Sequence, residues 1–286
     1  YLFSGALIIA SLVSVSIWGL NFGIDFTGGS LLEARFSETV PALSDVTATI
    51  TKAGLGDAVV QMTGDRTVLI RIRPITEQQH AELAEALRTA HGAFDELRFD
   101  SIGPSIGEEL RQKAVYAILF VLIATILYIA WSFRHVSYPV SSWVYGVITV
   151  ITAFHDVIIP VGLFSILGKW YGVETNSAFV AAVLTIMGYS INDTIVVLDR
   201  IRENVKSART DFATTVGTSL RQTIARSVNT TLTTLLALVA VYFFGGESVR
   251  YFALALAVGI ATGAYSSIFI ASPLLVSWQA WRSRRL

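Results

Sequence analysis

Long apolar runs dominate this sequence and restrict what the chain can fold into. A helix that crosses the hydrocarbon core of a bilayer needs about 20 consecutive, mostly apolar residues. Six stretches meet this requirement, at residues 2–20, 113–133, 139–167, 178–198, 228–244 and 251–278. The third and the sixth are long enough to tilt or to contain a break. The sequence therefore predicts an α-helical polytopic membrane protein with six transmembrane helices.

The composition agrees with a membrane protein and argues against several other classes. Only 15% of the residues are charged, whereas about 25% is usual for a soluble domain. The formal net charge is zero, which disfavours a nucleic-acid-binding protein. The chain has no cysteine and four histidines, so disulfides and thiol nucleophiles are excluded and a metal site is not expected. Hydrolase and metalloprotease motifs are missing, so we expect no cofactor and no enzymatic activity.

The distribution of Lys and Arg predicts the orientation of the chain in the membrane. Short loops on the cytoplasmic side carry an excess of basic residues. On the other side the short loops hold only Lys169 and Arg250. One side of the predicted membrane holds ten basic residues, namely Arg134, Arg200, Arg202, Lys206, Arg209, Arg221, Arg226, Arg282, Arg284 and Arg285. We therefore expect both termini in the cytoplasm and the first apolar run to be a retained anchor helix.

Residues 21–112, between the first and second crossings, are predicted to form an extracytoplasmic domain. Their hydrophobic pattern alternates between the period of a strand and that of a helix. Strands are predicted at 30–36, 58–62, 67–73 and 94–101, the middle two joined by a Gly64-Asp65 turn, and helices at 42–53 and after a capping box of Thr76 and Gln79. This β-α-β-β-α-β order is that of an α+β ferredoxin-like domain, with two helices on one face of a four-stranded antiparallel sheet.

The remaining residues, 113–286, are predicted to hold the second to sixth transmembrane helices and a cytoplasmic loop at about 200–227. Within this loop Phe212, Val216 and Leu220 recur at helical spacing. Such a pattern is typical of a short amphipathic helix that lies on the membrane surface.

One acidic residue lies deep inside the fourth predicted crossing. Asp193 stands in the run SINDT at 190–194, six residues before the charged boundary at Asp199. Six helical residues span about 9 Å, which is too far for a short carboxylate to reach water. Arg226 opens the fifth crossing from the same side, and Asn229 follows it. Asp193 and Arg226 could therefore pair directly or through water.

Two interpretations of these intramembrane polar residues remain open. Ionisable groups in transmembrane helices often mark proton or ion pathways, and burial favours the protonated carboxyl while a nearby guanidinium opposes it. The predicted proton pathway comprises Asp193, Arg226, Asp156, Asn192 and Asn229. Alternatively, Asp193 and Arg226 form a structural ion pair. For Asp156, which follows His155 in the third crossing, a structural hydrogen bond between helices is the stronger alternative.

Two further patterns predict close packing rather than chemistry. Small residues let two helix backbones approach closely. The Gly28-Gly29 pair is not followed by the residues of a nucleotide-binding loop, and a tight junction between the domain and a membrane helix is expected there. In the sixth crossing small residues recur at intervals of four, at Ala255, Gly259, Gly263, Ser267 and Ala271.

Two stretches of the sequence resemble the signatures of a known family. They are GIDFTGG at 23–29 and GYSINDTIVVLDRIREN at 188–204. The chain resembles, over essentially its whole length, the SecF members of the SecD/SecF family of bacterial protein-export membrane proteins. These are related to the resistance-nodulation-division transporters. In that family the functional carboxylate lies in the stretch that Asp193 occupies here, and its basic partner in the stretch RSVNT, which begins at Arg226.

The resemblance implies a function and a set of partners. It implies an accessory complex of the Sec translocon in the cytoplasmic (inner) membrane, which uses proton flow to promote late steps of preprotein translocation. The implied partners are SecD, the SecYEG translocon, YajC and YidC, the unfolded preprotein and the lipid bilayer, with no nucleic acid. A small-molecule proton antiporter of the same superfamily and a passive assembly scaffold remain as alternatives.

Overall fold

A computed structural model describes residues 1–63, 66–132, 134, 140–207 and 210–284. The strands are β1 (Gly29–Phe36), β2 (Val59–Met62), β3 (Thr67–Ile72) and β4 (Phe94–Ile102). The helices are α1 (Leu2–Trp18), α2 (Ile24–Thr27), α3 (Leu43–Lys52), α4 (Glu77–His91), α5 (Pro104–Ser132), α6 (Ser142–Tyr171), α7 (Ser177–Ser207), α8 (Phe212–Phe244), α9 (Glu247–Ser266) and α10 (Ser272–Ser283). A π turn, Ser267–Ala271, joins α9 to α10.

The chain divides into two compact units. One contains Tyr1–Asn21 and Tyr116–Leu286, and the other contains Phe22–Val115. Within the described residues five helical segments are long and apolar enough to cross a membrane, namely α5, α6, α7, α8 and Val249–Ser283. The shorter α1 is also apolar, with 17 residues. The predicted start of the third crossing, Pro139, lies outside the described residues.

The long helices extend beyond the apolar runs, and this corrects one prediction. Residues 200–207 continue α7, and the segment from Phe212 onward is the first part of α8. Ion pairs on the helix surface support the extension of α7, with Arg202 Nη2 2.6 Å from Asp199 Oδ1. The prediction of a separate short amphipathic helix within 200–227 is therefore wrong, because its apolar positions belong to the transmembrane helix that follows.

The unit that contains Tyr1–Asn21 and Tyr116–Leu286 is called the membrane unit. Glycines bring its helices close together. A Cβ atom at Gly263 would lie 3.0 Å from the Ser190 Cβ, and one at Gly259 would lie 2.3 Å from the Ile186 Cδ1. The small-residue face of α9 therefore packs on α7, which confirms the predicted packing role. A Cβ at Gly162 in α6 would lie 2.5 Å from the Ser11 Cα in α1. These close approaches hold α9 against α7 and α6 against α1.

The other unit is built on a four-stranded antiparallel sheet in the order β2-β3-β1-β4. Alternate residues of the central strand β3, including Val68 and Ile70, are fully buried. They pack against the apolar faces of α3 and α4, where Val46 and Leu83 are also fully buried. Thr76 and Gln79 form the predicted capping box at the start of α4. The predicted Gly64-Asp65 turn lies outside the described residues.

The Gly28-Gly29 pair joins β1 closely to the start of α5. Both residues have positive φ, 73° at Gly28 and 129° at Gly29. A Cβ at Gly28 would lie 3.0 Å from the Pro104 Cα, and one at Gly29 would lie 2.9 Å from the Ile72 backbone oxygen. Residues with side chains would therefore be strained in conformation and would force the backbone apart.

Candidate functional site

Asp193 is buried near the middle of α7 and is surrounded by hydroxyl groups. Only 7% of its surface is exposed. The Ser227 Oγ of α8 lies 2.6 Å from one carboxylate oxygen and 2.7 Å from the other. The Ser267 Oγ donates to Asp193 Oδ2. Hydroxyl groups from two neighbouring helices therefore replace the water that an ionised carboxylate would otherwise need.

A second acid, Asp156, is fully buried near the middle of α6. Its Oδ1 atom lies 2.8 Å from the Nδ1 atom of His155, although adjacent helical residues point about 100° apart. Its Oδ2 atom accepts hydrogen bonds from the Ser190 Oγ and, at 2.7 Å, from the Ser266 Oγ. The Nε2 atom of His155 is buried without a hydrogen-bond partner among the described residues. Asp156 therefore bonds to α7 and α9 as well as to its own helix.

The two acids belong to two adjacent hydrogen-bonded groups, which together form the network of Asp156 and Asp193. Ser190, which bonds to Asp156, lies three residues before Asp193 on α7, so both side chains face the same interior. Ser266 and Ser267 are adjacent, yet Ser266 bonds to Asp156 and Ser267 bonds to Asp193. The π turn begins at Ser267. Such turns are rare and frequently occur at functional sites.

The other predicted pathway residues lie outside this network. Arg226, Asn192 and Asn229 are exposed on the surface of the single chain. Among the described residues no direct ion pair joins Asp193 to Arg226, and the next residue along α8, Ser227, bonds to the carboxylate instead. Adjacent residues on a helix point about 100° apart, so when Ser227 faces the interior Arg226 faces outward. The roles predicted for these three residues stay predictions.

Sequence reasoning missed the serines that bond to the acids. Ser190 and Ser227 stand inside the two motifs that drew attention to Asp193 and Arg226, and the spacing of Ser190 and Asp193 places both on one face of α7. The small-residue pattern of the sixth crossing predicts only a packing role for Ser267. Its hydrogen bond depends on a partner 74 residues away, and no local pattern could have indicated that partner.

Within the described part of the chain, no group of three or more histidine or acidic side chains is arranged to hold a metal ion. The donors around the two acids are mainly serine hydroxyls, which complement an anionic oxygen. The arrangement can stabilise a carboxylate or exchange a proton with it.

Acidic residues buried at the centre of long apolar helices define a polytopic membrane protein with an ionisable site inside the bilayer. Comparison with known proteins narrows this class. The family model described as "Protein export membrane protein SecD/SecF, C-terminal" matches residues 82–281, and the "SecD/SecF GG Motif" matches residues 16–40. The chain belongs to the SecD/SecF family of protein-export membrane proteins.

Individual relatives resemble the chain over nearly its full length. It is 42% identical to the protein translocase subunit SecF of Thermobaculum terrenum, over 98% of this chain and 91% of that protein. It is 38% identical to the protein translocase subunit SecDF of Thermus thermophilus, over 100% of this chain and 38% of that protein. The crystal structure of SecDF, a translocon-associated membrane protein from Thermus, superposes with a TM-score of 0.84 at 38% identity. That match covers 97% of this chain and 37% of the SecDF chain.

Proposed function

We propose that this chain is the SecF subunit of a SecDF-type accessory complex, which uses the proton motive force to promote late steps of preprotein export through the Sec translocon. Its similarity to SecF subunits over almost all of both chains supports this assignment. The Thermus relative carries the corresponding part as 38% of a longer SecDF chain. We therefore assign SecD as the direct partner, and SecYEG, YajC, YidC and the unfolded preprotein as further members of the assembly.

The proposal includes a membrane topology. The chain crosses the cytoplasmic membrane six times with both termini inside, and α1 is the first crossing. Its 17 residues extend about 25 Å, slightly less than the thickness of a bilayer core. The unit containing β1 to β4 lies on the extracytoplasmic side, and its sheet order supports a ferredoxin-like fold. The excess of basic residues in the opposite loops supports this orientation.

The observation that carries the proton-driven function is the environment of Asp193. A carboxylate at this depth is costly unless it is hydrogen-bonded or protonated, and here Ser227 and Ser267 supply the hydrogen bonds. A hydroxyl group can donate to a carboxylate and can accept from a protonated carboxyl. The site therefore suits both states of Asp193. A proton that crosses the membrane carries about 2.3 kcal/mol per 100 mV, which is usable for mechanical work.

The exposed surface of α8 supports the assignment of a membrane partner. In the most apolar part of α8 only 11% of the residues are buried, against 44% in α7. This surface carries Arg226 and Asn229 beside apolar residues such as Leu232. A charged side chain that faces lipid deep in the bilayer is unfavourable. We therefore assign this face of α8 to the contact with SecD, where Arg226 would meet polar groups of the partner.

The test is Asp193→Asn in the assembled complex, with Asp199→Asn as the matched control. Asp199 lies on the same helix, but it pairs with Arg202 outside the network. Preprotein export into membrane vesicles is measured with and without a protonophore. We expect Asp193→Asn to reduce export to the protonophore level while the complex still assembles, and Asp199→Asn to have little effect. Full proton-dependent export by Asp193→Asn would contradict the proposal and leave a passive scaffold.

A further inference from the structure

We propose that Asp156 and Asp193 bind protons as one coupled unit, and that Ser266 and Ser267 at the π turn connect them. The inference deepens the proposed function and rests on it. Proton binding at one carboxyl would change the hydrogen bonds of its serine and, through the shared turn, those of the other carboxyl. The coupled pair of acids would thus link α6, which carries Asp156, to α7, which carries Asp193.

Hydrogen bonds and short stretches of backbone connect the two acids. Asp156 accepts from Ser190 of α7 and from Ser266 of α9, and Asp193 accepts from Ser267. Ser190 and Asp193 are separated by a single helical turn, and Ser266 and Ser267 are neighbours in sequence. Each acid is therefore connected to the other by two short routes, each of which combines hydrogen bonds with a short stretch of backbone. A shift in either route changes the donors of both carboxyl groups.

Ser266 and Ser267 each have an alternative acceptor in the backbone. The Ser266 Oγ lies 3.1 Å from the Gly263 backbone oxygen, and the Ser267 Oγ lies 3.1 Å from the Ala264 backbone oxygen. A serine has one hydroxyl hydrogen and can donate it in one main direction. When a carboxyl is ionised, the hydroxyl donates to it. When the carboxyl is protonated, its own O–H donates to the serine oxygen and the serine hydrogen turns to the backbone.

His155 adds a third titratable group to the coupled pair of acids. If its Nδ1 carries the hydrogen that faces Asp156, its Nε2 presents a lone pair. That Nε2 atom is fully buried and has no hydrogen-bond partner among the described residues. It is an open acceptor at the edge of the network, where a water molecule or a proton would complete the hydrogen bonding. Buried polar atoms without a hydrogen-bond partner are uncommon in folded proteins.

Other titratable groups near the network have defined positions. Tyr265 of α9 stacks with His155 at a ring distance of 6.2 Å and accepts a hydrogen bond from Ser4. The Tyr189 hydroxyl of α7 lies 3.3 Å from the Thr234 Oγ1 of α8. Arg226 of α8 is exposed. The donors seen on the two carboxylates are therefore the serines and His155, and the coupling is assigned to them.

The experiment measures proton binding by Asp156 directly. The full chain is reconstituted with its SecD-type partner in lipid vesicles, and the carboxyl stretching band is followed by infrared spectroscopy against pH. The difference from Asp156→Asn in the same background identifies the Asp156 band, and the difference from Asp193→Asn identifies the band of Asp193, so that the two are told apart. The midpoint is compared in the parent, Asp193→Asn, Ser267→Ala and the double variant. Ser277→Ala is the control, since the Ser277 hydroxyl bonds to Tyr1 instead of to an acid.

We expect Asp193→Asn to lower the Asp156 midpoint by about one pH unit or more, because groups that titrate as a pair shift when one is removed. In the Ser267→Ala background this shift should fall to less than about half, and in the Ser277→Ala background it should be unchanged. An Asp156 midpoint that is the same in the parent and in Asp193→Asn would overturn the coupling. A shift of full size in Ser267→Ala would overturn the role of the π turn. Neither result depends on export, so the proposed function can fail or survive separately.

Discussion

The cores of the two units differ in what they bury. In the unit that contains the sheet, the described core is apolar, and its buried polar side chains are the hydroxyls of Ser30 and Thr67. In the membrane unit His155, Asp156 and Asp193 are buried together with many serines and threonines. Burial of apolar surface from water stabilises the first core. Lipid is as apolar as leucine, so helices in a membrane gain from close packing and polar contacts instead. The membrane unit can therefore retain acids in its interior.

An acid placed in the apolar core is the sharpest test of this difference and has the largest expected effect. Ile70→Asp introduces a carboxylate at a fully buried position of β3. The new carboxylate would lie among apolar side chains without hydrogen-bond donors. We therefore expect the free energy of unfolding to fall by at least about 4 kcal/mol and the sheet to unfold. Hydrogen exchange of β1 to β4 in the full chain measures the effect. Leu97→Asp is the matched control, because Leu97 is 40% exposed. Equal protection from hydrogen exchange in Ile70→Asp and in the parent would contradict the stated difference between the two cores.

Neutralising an acid in the polar core should have a much smaller effect on stability. Asp156→Asn keeps the shape of the side chain, and Ser266 can turn to the Gly263 oxygen when the carboxylate is lost. We expect the free energy of unfolding in mixed detergent micelles to change by about 1 kcal/mol. A loss of more than about 3 kcal/mol would show that the network mainly holds the helices together, which is the structural alternative for Asp156.

An exposed acid gives the smallest effect and a reference for the buried ones. The Thr214 side chain and backbone N–H hold the pKa of Asp211 below its ordinary value of 3.8. Asp211 caps α8 by accepting a hydrogen bond from the Thr214 N–H at 3.0 Å. With a lowered pKa, the cap stabilises the helix above pH 3.8 and is lost as the pH falls through the lowered value.

Hydrogen exchange in the first turn of α8, corrected for intrinsic rates, measures the loss of this cap. We expect increased exchange only when the pH is clearly below 3.8, and only in that turn. Asp211→Asn is the control, since asparagine also caps helices but does not titrate. A response to pH in Asp211→Asn equal to that of the parent would assign the change to another group.

Much of the architecture could be predicted from local patterns. The apolar runs indicated the long helices, and the alternation of Val68, Ile70 and Ile72 indicated a half-buried strand. The ends of the helices could not be predicted from hydropathy, because ion pairs such as Arg202 with Asp199 continue α7 beyond the apolar run. At the site, Asp193 was found because a lone acid in an apolar helix is conspicuous. Proximity along the chain allows Asp193 to pair with Arg226 directly or through water, and in the structure the hydroxyl of Ser227 bonds to the carboxylate.

The sequence by itself determined that the chain spans a membrane, where most of its helices and strands lie, and that Asp156 and Asp193 lie in apolar segments. These properties depend on neighbours within a few turns of the chain. The tertiary structure decided that two adjacent serines, Ser266 and Ser267, bond to the two acids. Their partners lie 34 to 110 residues away along the chain, and glycine contacts between α7 and α9 bring them within hydrogen-bonding distance. Such distances depend on how the helices pack, and one helix alone does not specify its neighbours.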